Sequence, residues 1–287
     1  KKDFIFTSVQ IIKPIYNSDQ LHRYWADRTN LFWIIYTNSQ FKDTNSMRNY
    51  PNLKSHLDQF KNVITSSNKP YGLHRSRKQY FFQGEKILSL RKCSSRPVFT
   101  YSNFDSYVSQ TYYIIKTFRI NMKYLTGLFN SSLVEFWLSN RGKMQGSNYQ
   151  IDKGPLLEIP IHKPSEKIQL LISILVDGII FSKKIKNEYC HIFEKVIDGF
   201  IFNLYFYDYM KEREIDVLEF AEQDMEKVLQ GQNFDNLSDS EKEKVIEQLH
   251  TYWSQPDNEV VKRMAQFKEK SPDILKPILE SQQLSVE

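Results

Sequence analysis

The chain has 287 residues, 40% hydrophobic and 25% charged, a globular composition that excludes intrinsic disorder. Its longest nearly apolar run, Leu170 to Phe181, contains Asp177 and falls well short of the ~20 residues that cross a bilayer, so no membrane span is expected. The formal net charge of +5 conceals a division: residues 1 to 163 carry 24 Lys and Arg against 10 Asp and Glu, a net of +14, and residues 164 to 287 carry 15 against 24, a net of −9.

In chain order, short runs rich in β-branched and aromatic residues predict strands at Val9 to Ile15, Leu31 to Thr37, Lys86 to Leu90, Tyr107 to Thr117 and Leu156 to Ile161. Two helices interrupt them. Asn52 to Asn62 carries Leu53, Leu57 and Phe60 at helical spacing, and Met122 to Ser139 carries Leu125, Leu128, Phe129, Leu133, Phe136 and Trp137. Beyond Pro160 and Pro164 the period becomes 3.6. Ile168, Leu171, Ile172, Leu175 and Ile179 form one stripe, and Phe193, Val196, Ile197, Phe200, Ile201 and Leu204 form a second. A third helix is predicted through Ile215 to Leu229, a fourth behind the capping box Ser238-x-x-Glu241 and running to about His250, and a fifth from Ser254. Strands and helices mix without βαβ alternation. The reading is therefore α+β, a mixed-sheet domain over 1 to 163 followed by an α-helical domain over 164 to 287.

Several chemistries are missing. Gly142 to Gly146 fits neither GxGxxG nor GxxxxGK[ST], and no GxSxG elbow is present. Asp105 precedes a strand ending at Lys116, but Ile114 holds the position where a metal nuclease needs an acid, and Asp257 and Glu259 have no lysine at the required offset. Cys93 and Cys190 lack metal spacing, and no His lies three or four residues from another His or Cys. Neither a catalytic centre, a metal site nor a bound cofactor is expected. Two unpaired cysteines fit a reducing, cytoplasmic setting. The opening Lys1-Lys2, without an initiator Met or a signal region, suggests a fragment of a larger protein.

What is present is basic and polar. Tyr71 to Arg96 holds His74, Arg75, Arg77, Lys78, Lys86, Arg91, Lys92 and Arg96 with Glu85 as its one acid, a concentration that suits a phosphate-facing surface. A second stretch, Arg141 to Lys153, offers Arg141, Lys143, Gln145, Asn148, Tyr149, Gln150 and Lys153. Arg and Lys read guanine and Asn and Gln read adenine by bonds to major-groove edges. The same stretch also reads as an ordinary polar turn. Tyr112, Tyr113, Phe136 and Trp137 could stack on bases but have the spacing of core residues.

In order along the chain, Lys13-Pro14, Ile34-Ile35-Tyr36, Tyr50-Pro51-Asn52-Leu53-Lys54, and Tyr71 to Arg77 with Phe82 and Glu85-Lys86-Ile87 resemble the Taq-type C-terminal specificity domain. Tyr124-Leu125-x-Gly127-x-Phe129-Asn130-Ser131-x-Leu133-x-x-Phe136-Trp137 looks like its helix-turn-helix segment. Tyr149-x-x-x-Lys153-x-x-Leu156-x-x-Ile159-Pro160-Ile161 looks like its closing strand, and Ile197-Asp198 with Leu204-Tyr205 is similar to the helical tail beyond it. The likeness covers about Ile11 to Glu219.

The resemblance implies a target-recognition domain that binds double-stranded DNA for a single-chain, type IIG-like restriction-modification enzyme. Such an enzyme methylates adenine N6 with S-adenosylmethionine and in some cases cuts DNA. The family's catalytic Asn-Pro-Pro-Tyr motif lies on an upstream methyltransferase domain, and no Asn-Pro-Pro occurs here. The expectation is a non-catalytic reader that partners that domain, with the methyl donor bound elsewhere and the acidic helices acting as spacer and docking surface. A protein-interaction module and a nonspecific nucleic-acid binder remain the alternatives.

Overall fold

The computed structural model describes residues 11–145 and 148–281. Its elements in chain order are β1 (Ile12–Tyr16), β2 (Phe32–Ile35), α1 (Pro51–Asp58), β3 (Lys86–Leu90), β4 (Lys92–Ser94), β5 (Phe99–Ser102), β6 (Tyr107–Val108), β7 (Tyr112–Ile115), α2 (Met122–Phe129), α3 (Ser132–Arg141), β8 (Lys143–Gln145) and β9 (Asn148–Gln150). There follow α4 (Lys153–Leu157), α5 (Glu166–Ile185), α6 (Cys190–Glu212), α7 (Leu218–Leu229), α8 (Asp239–Trp253), α9 (Glu259–Ala265), α10 (Phe267–Lys270) and α11 (Leu275–Glu280). Small sheets followed by helices make the fold α+β. No described helix is long and apolar enough to cross a membrane.

The chain forms two compact units. The first comprises Lys1–Leu21, Asp27–Lys86 and Ser102–Gln110. Its sheet has the order β2-β1-β6, with β1 antiparallel to β2 (Ile12 opposite Ile35) and parallel to β6 (Ile15 opposite Tyr107). Ile11, Phe41, Met47 and Tyr71 form its small core, against which Leu53 and Leu57 of α1 pack. Pro51 opens α1, where a missing N–H costs nothing. Lys86 is buried, and its ammonium donates to the carbonyls of Gly84 and Phe104, so no charge is left uncompensated there.

The second unit comprises His22–Ala26, Ile87–Tyr101 and Thr111–Glu287. It holds the sheet β5-β3-β7, the sheet β4-β9-β8 and every helix from α2 onward. Residue 163, where the sequence suggests a break, lies inside this unit, whose single core joins Phe99, Leu128 and Val134 to Ile172, Ile197 and Trp253. Both predicted apolar stripes are inside it. Gly127 lets α2 press against α5, since a Cβ there would stand 2.9 Å from Ile172. The Ser238–Glu241 capping box opens α8 as expected.

Four expectations need correction. The helix expected over Met122 to Ser139 is two helices, because Asn130 turns its side chain onto the backbone of Phe99, accepting from its N–H at 3.2 Å and donating to its carbonyl at 2.7 Å, and Ser131 then caps α3. The strand expected over Tyr107 to Thr117 breaks at the polar Ser109-Gln110-Thr111, and its halves, β6 and β7, enter different sheets.

The closing strand expected at Leu156 to Ile161 is absent. Pro155 falls in the first turn of α4, where it displaces no helical hydrogen bond, and Pro160 cannot donate to a ladder. Instead Tyr205 of α6 pins this segment, donating to the Pro160 carbonyl at 2.5 Å and accepting from the His162 N–H at 3.0 Å. The fifth helix starts at α9 and not at Ser254, because Asn258 supplies the cap to Val260 and Val261.

Candidate nucleic-acid interface

In the second unit, β4, β9 and β8 form an antiparallel ribbon. Its register aligns Lys92, Gln150 and Lys143 in one row, Cys93, Tyr149 and Met144 in the next, and Ser94, Asn148 and Gln145 in the third. Side chains alternate across a strand, so the first and third rows share a face and the middle row takes the other. Cys93 and Tyr149 are buried in the core, and burial pushes the Cys93 thiol up to about 11. The opposite face is therefore wholly polar. Four of the residues proposed from sequence, Lys92, Lys143, Asn148 and Gln150, share it with Ser94. The backbone of Gln145 stands opposite Asn148 in the register; Gly146 and Ser147 lie outside the described residues.

Asp152 organises one end of this face. It accepts from Gln150 Nε2 at 3.2 Å and pairs with Lys143 Nζ at 3.3 Å. Those two bonds, Gln150's first, hold its carboxyl below the usual carboxylate range. Asp152 escaped the sequence reading, although the two-residue spacing Asn148, Gln150, Asp152 could have placed it. At the ribbon's root, Arg141 lies 5.3 Å from the Trp137 ring centre, and Gly142 ends α3. A Cβ on Gly142 would approach the Leu138 carbonyl oxygen to 2.5 Å, so only glycine lets helix pass into ribbon here. Lys153 is exposed at the start of α4, and Arg91 stacks over Tyr113 at 5.1 Å.

Tyr149 and Arg96 have internal places. Tyr149 is 3% exposed and serves the core. Arg96 donates from Nε to the buried Glu135 at 2.8 Å and lies 3.7 Å from Glu194, which also holds Arg23. Arg23 bonds in turn to the Asn130 carbonyl, and Asp198 caps α3 through the Ser132 N–H at 2.7 Å. This network fastens the segment following β4 to α3 and α6.

The first unit carries the other basic residues on one loop. His74, Arg75, Arg77 and Lys78 are all exposed, and none forms an ion pair among the described residues. The loop backbone is nonetheless held. Tyr36 Oη donates to the Arg77 carbonyl at 2.7 Å and accepts from its N–H at 2.8 Å, Asn68 donates to the Leu73 carbonyl at 2.9 Å, and Ser67 meets His74 Nδ1 at 3.1 Å. Arg75 adopts a left-handed φ of 55°, a local cost which that anchoring sustains. A fixed backbone with uncompensated cations is the arrangement phosphates call for.

Among the described residues no group of three His, Cys, Asp or Glu side chains is placed to hold a metal. The family model of the TaqI-like C-terminal specificity domain matches residues 13–161, over half of the chain. Among solved structures, the chain is similar to the Type IIL restriction-modification enzyme MmeI in complex with DNA, with a TM-score of 0.48 and 14% identity over 98% of this chain and 33% of that one. It thus spans about a third of that enzyme's length. Comparison with curated proteins returned no match.

Proposed function

Because the chain belongs to the TaqI-like C-terminal specificity domain family, we propose that it reads the double-stranded DNA target of a restriction-modification enzyme. The observation that carries this reading is the polar face of the β4-β9-β8 ribbon, where Lys92, Lys143, Asn148 and Gln150 stand in two aligned rows that flank the row of the buried Cys93 and Tyr149. A β-ribbon fits the ~12 Å major groove, and these side-chain types carry the donors and acceptors that distinguish guanine and adenine edges. Asp152 restrains Gln150 and Lys143 before DNA arrives, reducing the entropic cost of binding.

His74, Arg75, Arg77 and Lys78 supply the sequence-independent grip. Phosphate contacts set register and base contacts choose the site. The acidic helices past residue 163 repel DNA and serve as the docking side. In the longer protein a type IIG-like adenine-N6 methyltransferase domain upstream would do the chemistry, in the cytoplasm, with S-adenosylmethionine as methyl donor. This chain's residues do not fit that donor: among the described glycines only Gly154 stands in the first turn of a helix that follows a strand, and that helix is the five-residue α4 with no second glycine beside it.

Selection from a randomised duplex pool at moderate salt tests the reading. Retained duplexes should share a motif. Retention without a motif would reduce the chain to a nonspecific grip, and no retention would favour an interaction module.

A further inference from the structure

One side of α3 is not used by the ribbon. Leu133, Phe136, Trp137, Asn140 and Arg141 recur at the three- and four-residue spacing that shares a helix face, and all line a cleft of about 720 Å³ in the second unit. Its far walls are Tyr205 and Phe206 of α6, Ile159-Pro160, and Pro277 and Ile278 of α11. That volume lies in the ~300–1,000 Å³ range of small-ligand sites.

Two independent features accompany the cavity. Trp137 Nε1 is buried with no hydrogen-bond partner among the described residues, a donor left unsatisfied in an apolar surrounding. At the opposite wall Phe206 departs from helical geometry (φ −131°, ψ 34°), kinking α6 where it lines the cleft.

The chemistry of the lining selects the ligand. Aromatic faces of Phe136, Trp137, Tyr205 and Phe206 suit a flat ring. Asn140 is exposed, and its amide nitrogen donates to the Phe136 carbonyl at 2.8 Å, which leaves its oxygen to accept from an exocyclic amine. Arg141 is exposed, is stacked on Trp137 and forms no ion pair among the described residues, so it can meet an anion carried by the same ligand. The one acid of the lining, Asp273, is engaged by the Tyr209 hydroxyl and by the charge of Arg213. A flat ring carrying an exocyclic amine and an attached phosphate is a nucleotide.

We infer that this cleft binds a nucleobase outside the helical stack, seated between Trp137 and the α6 aromatics with its 5′-phosphate at Arg141. The choice of nucleic acid as the source rests on the DNA-reading proposal. The position fits it, because Arg141 is two residues from Lys143, the first residue of the ribbon.

The test uses the full chain and the four deoxynucleoside monophosphates as probes, with nucleotide-observed NMR titration reading their binding. Wild type should bind at least one of them saturably. Trp137→Phe, which replaces the indole by a smaller ring, should weaken that binding about tenfold, and Ile278→Trp, which fills the cleft, should abolish it. Circular dichroism and urea unfolding establish that each variant is folded, and Asn140→Ala at the exposed rim offers a substitution without risk to the core. Duplex binding, measured in parallel, should keep its salt dependence in the Trp137→Phe chain. No saturable nucleotide binding, or binding that all three variants leave unchanged, overturns the inference. Nucleotide binding that responds to the variants in a chain that retains no duplex would uphold the cleft and overturn the DNA-reading proposal instead.

Discussion

Arg96 Nε donates to Glu135 at 2.8 Å, and Glu135 is 2% exposed. An arginine that stands among phosphate-facing cations in the sequence is thus part of an internal ion network with Glu194 and Arg23. Replacing Arg96 with Ala should lower unfolding stability by about 3 kcal/mol, because it removes one charged partner of a buried carboxylate. Urea denaturation reads that loss. In folded Arg96→Ala protein at low temperature, the salt dependence of DNA binding should match wild type; a flatter dependence would return Arg96 to the phosphate contacts.

The loop residues behave in the opposite way. Arg75, Arg77 and Lys78 are exposed on a backbone anchored by Tyr36. Their replacement by Ala should leave stability nearly unchanged and weaken binding to every duplex alike. The slope of log affinity against log salt should fall by ~0.9 for each phosphate that is no longer neutralised. Anisotropy titrations at several salt concentrations measure this, and an unchanged slope would remove the loop from the interface.

What separates these two sets of arginines is invisible in one dimension. Periodicity locates the helices because i, i+3 and i+4 spacing is local, and the polar vocabulary of Arg141 to Lys153 is local as well. The partner of Arg96 is 39 positions away, and β4 pairs with β9 across a comparable separation, so neither pairing leaves a short-range signature. Tyr149 reads as an interface residue until that register places it on the buried face with Cys93. The break after Phe129 depends likewise on a distant backbone, the N–H and carbonyl of Phe99. The closing strand is absent for a different reason: its β-rich composition has no ladder to join, and two prolines and the Tyr205 hydroxyl hold the segment in another path.

Asp198 gives a pH dependence of defined sign. It is half-buried, caps the first turn of α3 through Ser132, and its desolvation pushes its carboxyl up to about 6. An acid whose folded-state pKa exceeds the unfolded value of about 3.9 binds its proton more tightly when folded, so protonation favours the fold. Its contribution should therefore fall as pH rises from about 4 to 6, by at most ~1.4 kcal/mol per pH unit, and stay level above that window. Asp198→Asn retains an acceptor for the Ser132 N–H and does not titrate. The difference between wild-type and Asp198→Asn unfolding free energies should change across pH 4 to 6 and be flat from 6.5 to 8; a constant difference throughout would contradict the assignment.

The ribbon is expected to control which sequence is bound, and three kinds of substitution divide its parts. Asn148→Ala and Gln150→Ala each remove an amide from the polar face, so each should relax preference at one base pair, by ~1–3 kcal/mol where the contact is bidentate, without changing the salt slope. Asp152→Asn loses the ion pair to Lys143 and weakens the bond from Gln150, so it should broaden the motif at the positions those two residues read. Gly142→Ala acts on all of them together. Its Cβ would collide with the Leu138 carbonyl at 2.5 Å, and relief requires either the end of α3 or the start of β8 to move. Motif selection with the Gly142→Ala chain should then lose preference across the whole site while the loop cations keep a residual, salt-sensitive affinity. A sharp motif retained by Gly142→Ala would mean that the bases are read from somewhere other than this ribbon.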